Sequence, residues 1–178
     1  MFFARLDADN LAWDRVGYYG GSQREPNTTT SGLGNPGALS GDVAIDSQDR
    51  IILTGVTNSA DLPLVNPLPY SRQGIATAFV ARVEATGLGL DFSTYISPAA
   101  SNAGSLFYGV AVENGTDIVV VGSALSHVGY PLVDAQTNAR GSTDPVISIF
   151  GDNDLDDDGI ADAIDNCPLI ANLSLIHI

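Results

Sequence analysis

Seven aspartates fall within residues 151–172 and no basic residue accompanies them. Their spacing is the feature of the chain best suited to chemistry. Asp154, Asp156 and Asp158 alternate, Gly159 follows, and Asp162 and Asp165 complete a span of twelve. Set on a calcium loop, these residues take positions 1, 3, 5, 6, 9 and 12, and Ile160 offers its backbone carbonyl at position 7. Calcium takes six to eight hard oxygens at roughly 2.3–2.6 Å, and alternate residues on a tight turn converge to supply them. Gly159 sets the register: a loop starting at Asp152 would put Asp157 where the turn needs glycine. Asp152 and Asp157 therefore read as outer charges. An acidic run is ordinarily a solvated tail, and the ligand spacing is what separates this one from that reading. Without a cation, five clustered carboxylates repel one another, so the segment is expected to be loose in the absence of calcium.

The rest of the chain is poor in reactive groups. His127 has no Ser-His-Asp pattern around it, so it reads as a loop histidine without a role, and no catalytic residue is assigned. Asp14 and Asp91 occur at equivalent places of an internal repeat, which points to structure rather than chemistry. Trp13 stands where the repeat has Leu90 and is expected to pack in a core or between sheets. Cys167 is the single cysteine. Nothing basic lies near it in sequence to lower its pKa, which argues against a reactive nucleophile.

The chain has 178 residues, of which 44% are hydrophobic and 16% charged, with 19 glycines and 9 prolines. That balance favours short strands and turns over long surface helices. The net charge is −14, from 21 acids and 7 bases, and the bases are all arginine. Phosphate contact needs basic patches, so a nucleic acid or anionic membrane is excluded as a partner. No apolar run approaches the roughly 20 residues of a membrane span.

Strands must position the loop, and they come in a repeat. A shift of 77 aligns residues 2–20 with 79–97 and matches Phe2, Ala4, Arg5, Asp14 and Tyr18, among others. A shift of 67 aligns Val43-Ala44-Ile45-Asp46 with Val110-Ala111-Val112-Glu113, and Ile51–Gly55 with Ile118–Gly122. The ten-residue difference falls in the Gly- and Pro-rich loop Ser22–Ser40, where insertion is cheap. In the second unit the expected strands are Phe79–Val83, Leu90–Ile96, Tyr108–Glu113 and Ile118–Ser123. Glu84-Ala85-Thr86-Gly87 and Glu113-Asn114-Gly115-Thr116-Asp117 turn between them. Continuous apolar runs such as Ile118–Val121 suit strands buried on both faces. The expected fold is all-β: a partial β-propeller of about two four-stranded antiparallel blades, residues 2–78 and 79–145. Val146–Phe150 adds one more strand, residues 1–150 form the propeller part, and the calcium loop follows. A β-sandwich is the alternative.

Both ends read as cut. Met1 lies inside a repeating unit with no signal peptide before it. The tail Leu173-Ser174-Leu175-Ile176-His177-Ile178 is similar to the translation of a transposon-end adaptor from sequencing libraries, and residues 173–178 are set aside as an artefact. Propellers use 4–8 blades, so further blades are expected on the N-terminal side.

Two resemblances follow from these motifs. Phe79-Val80-Ala81-Arg82-Val83, Ser93-Thr94-Tyr95-Ile96, Gly109-Val110-Ala111-Val112 and Gly55-Val56-Thr57-Asn58-Ser59-Ala60-Asp61-Leu62-Pro63 resemble the SBBP-type β-propeller repeat of bacterial surface and secreted proteins. Tyr18-Tyr19-Gly20-Gly21-Ser22 is similar to that family's strand-ending Gly-Gly, whereas Ser97-Pro98 departs from it in the second unit. Residues 154–168, ending Asp-Asn-Cys-Pro, resemble a thrombospondin type 3 repeat, with a match reaching Asn172. That resemblance implies serial calcium-binding repeats and makes Cys167 half of a disulfide whose partner is cut away; an inert buried thiol is the alternative. Together they imply a secreted or cell-surface, non-enzymatic calcium-binding protein. It would be an adhesion or interaction scaffold with a calcium-stiffened acidic stalk, recognising a protein or polysaccharide not identified by sequence. The competing readings are an extracellular propeller hydrolase or lyase and a polysaccharide-binding module.

Overall fold

Alternating and fully apolar runs rich in β-branched residues fold, in this computed structural model, into nine strands among the described residues. The described residues are 1–7, 9–23, 41–72, 76–87, 89–98, 104–126 and 143–151. The strands are β1 (Phe2–Leu6), β2 (Trp13–Tyr18), β3 (Gly41–Ile45), β4 (Ile51–Thr57), β5 (Thr77–Val83), β6 (Leu90–Ile96), β7 (Ser105–Glu113), β8 (Asp117–Ala124) and β9 (Asp144–Phe150). No helix occurs among the described residues, and none there could cross a membrane. Strands β1-β2 form sheet I, β3-β4-β5-β6 sheet II and β7-β8-β9 sheet III, and every pairing is antiparallel.

The described residues are thus all-β, in three sheets. Sheet II lies between the other two. On one face Ile52, Ala78, Val80 and Ile96 pack with Phe107, Ile118 and Val120 of sheet III. On the other, Leu53, Phe79, Val83 and Tyr95 pack with Tyr19, Met1 and Phe3 beside sheet I. Strand β4 is buried along its whole length, as a strand covered on both faces must be. Its threonines stay satisfied there: Thr54 Oγ1 donates to the Phe79 carbonyl at 2.9 Å, and Thr57 Oγ1 accepts from the Ser59 amide at 2.8 Å. The run Ile118–Val121 differs from expectation. Ile118 and Val120 are buried but Val121 is exposed, because among the described residues nothing covers the outer face of sheet III.

The repeat seen in the sequence is a repeat of hydrogen bonding. Phe79↔Tyr95 and Ala81↔Ser93 in β5-β6 reappear 77 residues earlier as Phe2↔Tyr18 and Ala4↔Val16 in β1-β2. Thr54↔Val80 in β4-β5 reappears 67 residues later as Val121↔Ile147 in β8-β9. The sheets, however, are offset by two strands from the units 2–78 and 79–145. Sheet II joins β3 and β4 of the first unit to β5 and β6 of the second, and Val146–Phe150 is the third strand of sheet III. After β2, Tyr19 is buried in the core between sheets I and II. After β4 the chain stays with its own sheet: Val65 forms a bridge with Ser93 on the outer edge of β6, and the Leu68 amide donates to Thr94 Oγ1 at 3.1 Å.

Candidate functional site

The proposed ligands Asp154, Asp156, Asp158, Ile160, Asp162 and Asp165 lie outside the described residues, as do His127, Cys167 and the tail 173–178. The described chain leads to them directly: β9 ends at Phe150 and Gly151 follows, exposed. Among the described residues no group of His, Cys, Asp or Glu is placed to hold a metal ion. The donor set that the sequence supplies is carboxylate and carbonyl oxygen throughout, which fits a hard cation such as calcium.

The polar architecture that is described gathers at the turn end of sheets I and II. The two repeat-equivalent aspartates are the extra residues of two β-bulges. In β5-β6 the pairing steps from Arg82↔Phe92 to Val83↔Leu90, leaving Asp91 unpaired; in β1-β2 it steps from Arg5↔Arg15 to Leu6↔Trp13, leaving Asp14 unpaired. A bulge re-aims a side chain, and each acid meets the arginine of the neighbouring strand. Arg82 Nε donates to Asp91 Oδ1 at 2.9 Å, and Arg5 Nε lies 3.5 Å from Asp14 Oδ2. The β3-β4 turn ties the two groups together. Buried Asp46 accepts the Gln48 and Arg50 amides at 2.9 Å and Arg50 Nε at 2.6 Å. Arg50 also reaches Asp91 at 3.3 Å, while Asp49 accepts from Arg5 and, at 3.2 Å, from Arg15. The hydrogen bond and charge of Arg5 hold the Asp49 carboxyl below the usual carboxylate range; Asp49 in turn raises Arg5 above its ordinary value. Among the described residues these charges are engaged with one another and join sheets I and II at this end.

A second polar join holds the strand-ending glycines. The Ser22 amide donates to Asp61 Oδ1 at 3.0 Å and the Gln23 amide to Ser59 Oγ at 2.9 Å. A Cβ on Gly21 would stand 2.4 Å from both Ser59 Cβ and Asp61 Oδ1, so only glycine allows this approach. The Ser22 amide and hydroxyl hold the Asp61 carboxyl below its ordinary range. Beneath it, Tyr95 Oη donates to the Ser59 carbonyl and accepts the Leu62 amide, each at 3.0 Å. The Gly20-Gly21 and Asn58–Pro63 motifs thus meet in space.

A cleft of about 770 Å³ opens between β1 and β3, walled by Met1–Arg5, Gly41–Ile45, Ile51 and Leu53. Its ionisable side chains are Arg5, engaged as above, and Asp42, whose Oδ2 accepts the Val110 amide at 3.0 Å. No general base stands beside a nucleophile there. Trp13, expected in a core, is instead exposed on the outer face of sheet I. Its equivalent Leu90 has sheet I to pack against; Trp13 has no sheet on that side among the described residues. Asp46, Asp49 and Arg50 were not singled out from sequence, because their turn is not preserved in the second unit, where Glu113, Thr116 and Asp117 stand in their places.

The comparison with known families bears on the C-terminal segment. Residues 151–175 match the thrombospondin type 3 repeat. This repeat is a calcium-binding, extracellular type of domain, and its match begins where β9 ends and takes in all the proposed ligands. It covers a small part of the chain and reaches three residues into the tail 173–178. No curated protein matches the chain, and no solved structure does.

Proposed function

We propose that this chain is a non-enzymatic, extracellular calcium-binding scaffold: stacked blades of an SBBP-like β-propeller, followed by an acidic repeat that calcium stiffens. The carrying observation is the family match at 151–175 coinciding with the ligand register set by Gly159. Asp154, Asp156, Asp158 and Asp165 supply side-chain oxygens, Ile160 its carbonyl, and Asp162 an oxygen directly or through water. The propeller reading draws support from the repeated strand register and from face-to-face sheets. The non-enzymatic reading draws support from a cleft whose charges are spoken for. The role is to hold binding surfaces apart and in fixed orientation outside the cell, for a protein or polysaccharide partner.

The test is calorimetric titration of the whole chain with calcium. Affinity on the order of 10⁻⁴–10⁻³ M is expected, as in extracellular modules. Asp158→Ala should weaken binding far more than Asp157→Ala, since only Asp158 holds a ligand position in the register set by Gly159. Equal effects of the two substitutions, or no binding at millimolar calcium, would return the segment to an acidic linker.

A further inference from the structure

The join of sheets II and III departs from the repeat at the point where the acidic segment leaves it. At the join of sheets I and II, Arg15 donates to Asp49 at 3.2 Å as part of the charged seam. The place of Arg15, opposite Arg5, belongs in the second unit to Phe92, opposite Arg82. The place of Asp49 belongs to Thr116. The repeat thus removes both partners of that ionic tie from the second join. An aromatic contact stands there instead: the rings of Phe92 and Phe150 lie 6.2 Å apart, tilted by 46°. Both pack against the core cluster that contains Ile52, Val80, Phe107 and Ile118. The counterpart of Phe150 on β5 is Val83, so the last join carries the larger side chain. Phe150 is also the last residue of β9, where it pairs with Ile118. The family match begins at the next residue, and Asp154, the first expected ligand, is four residues beyond the ring. Four residues of chain reach at most about 14 Å.

We infer that Phe150 and Phe92 are positioning residues for the calcium site: their contact anchors the start of the acidic repeat to sheets II and III, and calcium in turn stabilises β9. The inference rests on the calcium reading above. A chain held at Phe150 enters the loop with one end already fixed, so less freedom is lost when the ligands converge on the ion. A neutral pair suits this place. A carboxylate like that of Asp49 would add to the repulsion within a segment that already carries seven aspartates, whereas a contact between two rings is indifferent to that charge. By linkage the effect is reciprocal. Whatever factor the anchor adds to calcium affinity, bound calcium adds to the closed, exchange-protected state of β9.

The test is hydrogen exchange of the whole chain, read by mass spectrometry in chelator and at about 10 mM calcium, above the dissociation constant expected for such a module. Calcium should slow exchange in β9 on the order of fivefold or more and leave β1 and β2 unchanged. Phe92→Ala alters neither β9 nor any ligand. In calorimetry it should weaken calcium binding by a similar factor, and in exchange it should abolish the added protection. Phe92→Leu, which keeps an apolar contact, should restore most of both. If Phe92→Ala fails to fold, a Gly-Ser-Gly-Ser insert after Gly151 keeps the rings and the ligands but separates them, and it should uncouple the two readouts from calcium in the same way. Calcium that binds without slowing exchange in β9, or parent affinity in both Phe92→Ala and the insertion variant, would overturn the inference and leave the calcium loop standing. An unsubstituted chain that binds no calcium would remove both.

Discussion

Tyr95 and Tyr18 occupy the same place in the repeat, opposite Phe79 and Phe2 respectively, yet removal of their hydroxyls should have unequal effects. The Tyr95 hydroxyl is buried and bonds both the Ser59 carbonyl and the Leu62 amide. In Tyr95→Phe both backbone groups lose this partner. An unsatisfied buried polar group costs about 1–3 kcal/mol, so the substitution should destabilise the fold by about 2–4 kcal/mol. In a chain of this size that lowers Tm by roughly 5–15 °C. Tyr18 is 83% exposed, so Tyr18→Phe should lie within about 0.5 kcal/mol of the parent. The assay is urea unfolding followed by circular dichroism, at low protein concentration and high dilution of any associated species. A Tyr95→Phe midpoint equal to that of Tyr18→Phe would refute the argument, because it would mean that the segment Ser59–Leu62 does not depend on the hydroxyl.

Three further outcomes are expected. Gly21→Ala forces a Cβ into 2.4 Å contacts with Ser59 and Asp61 and should destabilise by about 1–3 kcal/mol, read by the same unfolding curves. Asp61 and Asp49 have carboxyls held below their ordinary range in the fold, so the unfolded chain binds more protons in acid. Their stabilisation is complete above about pH 5 and drains away as pH falls below about 4, through the depressed values; Asp61→Asn should flatten Tm against pH in that window. Deleting Leu173–Ile178 should leave calcium affinity and Tm unchanged, and a loss of calcium binding would show that the repeat extends through the tail.

Much of the strand framework is legible in the sequence, because local signals specify it. Asn114-Gly115 takes positive φ at both residues and closes β7 on β8, and Gly87 does the same after β5. Leu90–Ile96 has the limits expected for it. What escapes the sequence is nonlocal. A repeat has a period but no phase: β4 could pair back within its unit or forward with β5, and long loops on both sides leave the choice to packing. Tyr19 in the core and Val65 on the edge of β6 make that choice, and neither announces it by type. Asp14 and Asp91 advertise a shared role, but the bulge that turns them towards arginine depends on a register slip of one residue. Trp13 shows the converse failure, since its composition suggests burial and its surroundings withhold it. As for the calcium ligands, their expected roles rest on spacing and on the family match.

The two-strand offset between sequence repeat and sheet bears on how the chain emerges and bears load. Strands β3 and β4 have exposed apolar faces until β5 and β6 are made, and the connection 58–76 together with those strands takes several seconds to synthesise at about 5–20 residues per second. Each half-made sheet must wait, open-edged, for the next unit. Once complete, sheet II straddles the seam between two units, so a pull on the chain cannot peel one unit away without breaking the β4-β5 ladder from Ile51↔Val83 to Thr57↔Thr77. Tension passing into the acidic segment after β9 would thus meet a lap joint, in which neighbouring units are fastened by shared backbone bonds as well as by the contact of their faces.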